Sequence, residues 1–276
     1  MVQVIGVGDN TVDRYLDLRM MYPGGNAVNV AVLAQRYGHP ASYLGWLGDD
    51  AHGRLILDAL HAESVDTSHC RVVGGPNAWN DVSLVDGDRV FGAYDHGVSA
   101  EIALTEDDLC FIGQHDVTHT SIYSHIERDI ERLSGASQVL SFDFADRSDR
   151  DCFSALLPWV DFALVSYPGH SEPETEDLML WILAQGPEVA LVTQGQRGAM
   201  ACDGGQIHRQ GILKTEVVDT LGAGDAFAAR FLVEWLGGVP IPVALEAAAA
   251  SAAETCGHYG AFGHGLPFPI ELIGRK

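Results

Sequence analysis

The segment VVDTLGAGDAFAARFLVEWLGG (217–238) holds the residue types best suited to chemistry. Gly222, Ala223 and Gly224 precede Asp225, and an apolar-periodic stretch (Phe227, Phe231, Leu232, Trp235) runs on to Gly237 and Gly238. Glycines ahead of a helix let backbone amides converge, and the helix N-terminus is electropositive. Such a turn can hold a phosphate or a developing oxyanion. A carboxylate in its first turn can take a proton from a hydroxyl while the amides hold the negative charge. The same run also reads as a plain glycine turn with an acid near a helix cap, for which Thr220 is the expected capping residue.

The elements that must position this turn alternate along the chain. VQVIGVG (2–8), ASYLGWLG (41–48), QVLSFDF (138–144), DFALVS (161–166) and VALVTQG (189–195) read as strands. Residues 26–37 and 51–61 read as helices, the first with Ala27, Val30, Ala31 and Ala34 on one face. This alternation predicts βαβ units and a mostly parallel sheet, with ligands at the carboxyl ends of its strands. Two stretches break the rhythm. Residues 13–18 are short and alternating, and 77–95 holds two strand-like runs joined by Asp86-Gly87-Asp88, a hairpin signal. They predict a small antiparallel flap over one end of the main sheet. There is no internal repeat, low-complexity tract or Pro/Ser-rich linker, so a second independent domain is not expected.

The chain has 276 residues, enough for one large α/β domain with a full core. Sixteen Lys plus Arg against 38 Asp plus Glu give a net charge of −22. That balance argues against nucleic-acid or anionic-membrane partners, which need clustered basic residues. An anionic ligand has to be held locally, by backbone amides, a metal or a few arginines. The five cysteines form no CxxC pair and read as reduced core residues of a cytoplasmic protein. No stretch approaches the roughly 18 uncharged apolar residues of a membrane span, and the N-terminus has no basic leader segment. Gly6-x-Gly8 has the start of a dinucleotide fingerprint, but Thr11 stands where the third glycine belongs and no helix follows. His115, His119 and His125 fall in a predicted strand and loop, and read as exposed or internally bonded histidines rather than metal ligands. His258 and His264 are read the same way.

DTLGAGDAFAARFL resembles the second signature of the ribokinase-like (PfkB) carbohydrate kinases. PGGNAVNVAVLAQRYGHPASYLGWLG (23–48) resembles their first, with the di-glycine, the asparagine, Gly38 and Gly48. The two motifs stand far apart and in the expected order, and the resemblance covers essentially the whole chain. It implies a doubly wound α/β fold with a mostly parallel sheet. It also implies one kinase domain over 1–276, with a small antiparallel β lid formed by roughly 13–23 and 76–97. The implied activity is transfer of the γ-phosphoryl of ATP to a primary hydroxyl of a small-molecule sugar, with Mg²⁺ and as a homodimer. GDNTVDRYLDL, WLGDDAHG, DRVFGAYDHGVSA, SFDFAD and DFALVS are similar to the fructoselysine 6-kinases of that family, which makes C6 of fructoselysine or a related ketoamine the expected acceptor. Fructose, ribose, 2-keto-3-deoxygluconate or a nucleoside are the alternatives within the class. A non-catalytic sugar- or nucleotide-binding regulator is the alternative outside it.

The resemblance also assigns roles. Asp225 is the implied base, and the amides of Gly222, Ala223 and Gly224 the anion hole. Asp13 resembles the acid that binds sugar hydroxyls, with Asp9 and Asn10 nearby. Gly24 and Gly25 allow close approach of backbone to the sugar, and Asn29 can donate and accept. In the lid Arg89, Phe91 and Tyr94 are candidates, Arg89 as partner to the carboxylate of an amino-acid-bearing sugar. Thr193, Gly195 and Gly198 of TQGQRGA resemble a segment that meets the nucleotide. Residues 257–261 resemble the region around adenine and a monovalent cation. Asp219 and Thr220 resemble the start of a cation loop, which implies K⁺ activation. Two positions depart from the family pattern. Ser166 and Gly169 replace an Asn-x-x-Glu pair that organises Mg²⁺, leaving the metal ligands unassigned, and Arg230 stands where a glycine is usual.

Overall fold

The computed structural model describes residues 1–268 except 86, 87 and 148, and leaves the side chains of 84–89 outside the description. The turn of the predicted hairpin, Asp86 and Gly87, therefore lies outside the described residues. The chain begins with β1 (Val4–Val7), β2 (Thr11–Tyr15), β3 (Met20–Gly24), α1 (Asn26–Arg36), β4 (Ala41–Leu44), β5 (Trp46–Gly48) and α2 (Ala51–Ala62). Then come β6 (Arg71–Val73), β7 (Trp79–Val85), β8 (Asp88–Asp95), α3 (Glu106–Ile112), β9 (Val117–Ser121), α4 (Ile130–Ala136), β10 (Leu140–Asp143) and α5 (Arg150–Leu156). It continues through β11 (Phe162–Ser166), α6 (Glu172–Leu183), β12 (Val189–Thr193), β13 (Ala199–Cys202), β14 (Ile207–Gln210), α7 (Ala223–Leu236), α8 (Ile241–Thr255) and β15 (Leu266–Pro267).

Runs such as VIGV, FALVS and VALVT are apolar on both faces, so their strands need cover on both sides. The main sheet has the order β14-β13-β12-β11-β10-β9-β1-β4. From β12 to β4 every neighbouring pair is parallel, and β13 and β14 add an antiparallel edge. One apolar core joins the sheet to α1, α2, α7 and α8, and another joins its other face to α3, α4, α5 and α6. The strand order turns at β1: β4 lies on one side of it and β9 to β12 on the other. Doubly wound sheets open a crevice at such a point, outside the carboxyl ends of the two strands.

A second sheet runs β15-β3-β2-β7-β8. Three of its pairings are antiparallel, and β2 with β7 is parallel. Arg14 of β2 is buried there because Asp81 accepts from its Nε at 2.8 Å and its guanidinium lies 3.3 Å from the Trp79 ring centroid. The predicted strand over 41–48 is two strands. It breaks at Gly45, where a side chain would collide with the Tyr43 hydroxyl, and β5 leaves the main sheet to pair with β6. Among the described residues no helix is long and apolar enough to cross a membrane.

Helix α1 is buried from Asn26 to Ala34 and lies directly on β1. A Cβ at Gly6 would lie 2.1 Å from the Ala27 carbonyl oxygen, far inside contact distance. Gly6 thus serves strand-to-helix packing. Backbone atoms cannot move aside as a flexible side chain can, so Gly6→Ala is expected to cost about 1–3 kcal/mol. A urea titration should show a lower midpoint with unchanged m-value; an unchanged midpoint would mean that β1 and α1 can separate freely.

Candidate active site

The site starts from the first turn of α1. A helix leaves its first N–H groups without intrahelical acceptors, and this helix has no capping side chain of its own. Buried Asp9 supplies one from the turn after β1: it accepts from the backbone N–H of Asn26 at 2.6 Å and of Ala27 at 3.3 Å. The hydroxyls of Ser121 (3.0 Å) and Ser124 (2.8 Å) donate to the same carboxylate. Gly25 makes the turn possible, with φ 110° and a would-be Cβ only 2.5 Å from Asn10 Cα. Asn10 donates to the Tyr43 hydroxyl at 2.9 Å and the Trp46 carbonyl at 2.8 Å. Asp9 and Asn10, expected among the substrate contacts, hold the turn that presents α1.

The first turn of α7 faces that of α1. Gly222, at φ 75°, occupies the cap position, and a Cβ there would overlap Ala261. Thr220 is not the cap; its carbonyl accepts from Ala223 N–H at 3.3 Å. A Cβ at Gly224 would meet nothing within 4 Å, so this turn opens outward. Asp225 lies between the helices. Asn26 donates to its Oδ1 at 2.9 Å and Asn29 to its Oδ2 at 2.6 Å. The Asn29 Oδ1 is buried and has no hydrogen-bond partner. A Cβ at Gly24 would lie 2.8 Å from Asp13 Oδ2 and 3.8 Å from that Asn29 oxygen. The missing side chain of Gly24 therefore leaves a small polar cradle between Asp13 and Asn29, next to Asp225. Asn80 donates to Asp13 Oδ1 at 3.3 Å from the second sheet. A hydroxyl-rich ligand in this cradle would meet acceptors from one sheet and two helices.

Sequence reasoning missed the residues beneath. The Asn26 amide nitrogen also donates to Asp143 Oδ2 at 2.8 Å, and its oxygen faces His119 Nε2 at 2.8 Å. His119 Nδ1 lies 2.9 Å from the Ser141 hydroxyl. Burial pushes His119 down to about 3, so its ring is uncharged. Burial, and then the charge of Asp225, push Asp143 up to about 7. Tyr123 is pushed up to about 12 by partial burial and then by Asp146, Asp143, Asp225 and Asp9, four carboxylates around one spot. The available clue was position: Ser121 and Asp143 are register partners at the carboxyl ends of β9 and β10, on the crevice.

Thr193 ends β12 and pairs with Ser166 at the end of β11, on the same rim. Gly195 (φ 59°) and Gly198 (φ 91°) turn the chain into β13, and Gly195 is open to solvent while Gly198 abuts the Gln210 carbonyl. Asp219 is buried and accepts from the Tyr15 hydroxyl, Leu221 N–H (3.0 Å) and Gly260 N–H (3.1 Å). Both its oxygens thus have protein donors. Of 257–261, Ala261 buttresses Gly222. Near the departure at Ser166 and Gly169, Glu174 closes a capping box with Ser171 and Glu172 faces Arg209. Arg230 turns to Glu234 at 2.6 Å and to the Tyr37 ring, so it serves packing between α7 and the end of α1. Phe91 and Tyr94 stand on β8, 57% and 64% exposed; the Arg89 side chain lies outside the described residues. His115 is bonded to Ser42 and the Phe111 carbonyl, and His264 to Glu63. Among the described residues no group of three or more His, Cys, Asp or Glu could hold a metal ion.

Comparison with known proteins gives a consistent set of matches. The model of the pfkB family carbohydrate kinases matches residues 9–267. The chain is 40% identical to the fructosamine kinase FrlD of Bacillus subtilis over 98% of its own length and 96% of that protein's. It is 41% identical to fructoselysine 6-kinase of Escherichia coli, over 93% of this chain and 98% of the relative. Its fold is that of Arabidopsis thaliana ribokinase, solved with ribose and ATP, with a TM-score of 0.80, 22% identity and 95% of each chain covered.

Asp143 generates a prediction about pH. An aspartate in the unfolded chain titrates near 4, and in the folded protein Asp143 titrates at about 7. Between those values the native state keeps a proton that the unfolded state has lost, so stability falls as pH rises from about 4 to about 7. Asp143→Asn removes this contribution. Its Tm, measured by calorimetry from pH 4 to 8, is expected to fall less steeply than that of the wild type; parallel curves would refute the assignment.

Proposed function

The chain belongs to the pfkB family of carbohydrate kinases, and we propose that it phosphorylates C6 of fructoselysine or a related ketoamine with Asp225 as the base. That it is an ATP-dependent sugar kinase, a phosphotransferase with an alcohol group as acceptor, follows from the family and from relatives at 40–41% identity. Those relatives are a fructosamine kinase and a fructoselysine 6-kinase, which supports the ketoamine as acceptor.

The single observation that carries the catalytic reading is the position of Asp225 beside an unfilled acceptor. Asn29 holds Asp225 with its amide nitrogen and keeps its buried oxygen unpartnered, next to Asp13 and Gly24. Sugar hydroxyls donate to Asp13 and to Asn29 Oδ1, which brings the primary hydroxyl to Asp225. Asp225 takes its proton as the oxygen attacks the γ-phosphorus. The amides of Gly222, Ala223 and Gly224 at the start of α7 hold the negative charge that spreads over the transferred group, Ala223 sharing its hydrogen with the Thr220 carbonyl. ATP binds along the rim that runs from Thr193 to Gly195 and Gly198; Mg²⁺, where bound with it, would offset phosphate charge. Little covalent work remains for the protein beyond positioning and charge stabilisation.

The second sheet, with β2, β3, β7 and β8, acts as the lid, and its exposed Phe91 and Tyr94 with Arg89 read the amino-acid arm. The same exposed face pairs two chains into the homodimer. Closure excludes water that would otherwise accept the phosphoryl group. The activity is cytoplasmic, where ATP is available and the five cysteines, none of them in a disulfide, stay reduced. Potassium activation rests on Asp219 and Thr220. Since both Asp219 oxygens already have protein donors, backbone carbonyls would have to supply the ligands. A fall in kcat on replacing K⁺ by Na⁺ supports it, and an unchanged kcat removes it.

Asp225→Asn is expected to lower kcat by about 10²–10⁴-fold with the fold intact; near-normal turnover would end the base assignment. In an acceptor panel the wild type should turn over fructoselysine far faster than fructose or ribose. Turnover of a plain sugar alone would keep the mechanism and discard the ketoamine.

A further inference from the structure

The Asn26 amide has one acceptor oxygen and one NH₂ group with two hydrogens. Its nitrogen reaches Asp143 Oδ2 at 2.8 Å and Asp225 Oδ1 at 2.9 Å, so both hydrogens are used on carboxyl groups. Its oxygen then faces His119 Nε2 at 2.8 Å. An amide oxygen can only accept, so Nε2 carries the hydrogen. His119 is fully buried in β9 and uncharged, so Nδ1 is bare and accepts from the Ser141 hydroxyl at 2.9 Å. The donors run one way: Ser141 to His119, His119 to Asn26, Asn26 to the two carboxyl groups. Hydrogen bonds in such a series polarise one another. The other His119 tautomer would set a lone pair against the amide oxygen. A flipped amide would set that oxygen against both carboxyl groups.

We propose that His119 is a positioning residue for phosphoryl transfer: it holds Asn26 in the one orientation that donates to both Asp143 and Asp225. It touches neither substrate nor reacting atoms and acts through Asn26. The inference rests on the reading of Asp225 as base. The ionisable groups that face this spot are Asp9 after β1, Asp143 and Asp146 at and after the end of β10, Asp225 on α7 and Tyr123 after β9.

The test is kcat against pH, with the best acceptor of the panel, for wild type, His119→Leu, His119→Gln and Asp225→Asn. Leucine fills space without a donor. It is expected to lower kcat by about 10- to 100-fold with little change in acceptor KM. It should also move the acidic limb of the profile to higher pH, because carboxylates that lose an N–H donor hold protons more tightly. The coupled Asp143–Asp225 pair sets that limb jointly. Glutamine can still donate to Asn26 and accept from Ser141, so it should recover most of the rate and return the limb. Equal losses in Leu and Gln with an unmoved limb would reduce His119 to a space-filler and overturn the proposal. If the Leu variant does not fold, Ser141→Ala frees the other tautomer; it should move the limb the same way by less, and an unmoved limb again overturns the proposal. Turnover retained by Asp225→Asn would instead remove the base reading, whatever His119 does.

Discussion

A carboxylate set at the start of a buried helix governs the arrangement of this molecule. Asp9 accepts from two backbone N–H groups of α1 and from two serine hydroxyls at and just after the end of β9. A negative charge at a helix N-terminus is favourable in itself, and burial among four donors strengthens each bond. The interaction fixes three chain segments relative to one another: the turn after β1, the first turn of α1 and the end of β9. Asn26 and Asn29 can reach Asp225 only because α1 begins where Asp9 holds it. The contact of Gly6 with the Ala27 carbonyl sets the height of the same helix over the sheet. Positioning in this enzyme is thus largely a matter of where one helix starts.

The site gathers negative charge and must still receive a triphosphate. Asp9, Asp143, Asp146 and Asp225 lie close enough to act together on Tyr123. The chain as a whole carries −22. Several local devices offset this. Two helices aim their first turns at the spot, side-chain amides lie against the carboxylates, and Asp143 holds its proton up to about neutral pH. No lysine is needed nearby, in keeping with a sequence whose two lysines are Lys214 and Lys276.

Much of this was legible in the sequence, for identifiable reasons. The strands announce themselves as short apolar runs and the helices by their period, and the glycine turn ahead of Asp225 is a local pattern with a local meaning. The parts that were not legible depend on residues brought together from distant segments. Asn26, His119, Asp143 and Asp225 come from α1, β9, β10 and α7, and no spacing rule links them. Asp9 stood among the candidate substrate contacts because it neighbours Asp13 in sequence, and only the fold shows that it holds the first turn of α1. Thr220 looked like a cap, but the left-handed Gly222 starts the helix two residues later. The run 41–48 looked continuous because nothing in it betrays that the Tyr43 hydroxyl needs the space at Gly45. Arg230 stood out as a departure, and only the packing of α7 on α1 shows its role.

The contact between Gly222 and Ala261 ties two distant stretches by size alone. The first forms the turn before Asp225, the second follows α8, and hydrogen meets methyl where they touch. Neither position can grow unless the other retreats, and the glycine has nothing left to lose. Substitutions at 261 are therefore confined to alanine or smaller for as long as the turn is kept. Across a lineage the two positions should drift together or not at all, so a residue with no chemistry of its own is held as tightly as the carboxylate it never touches.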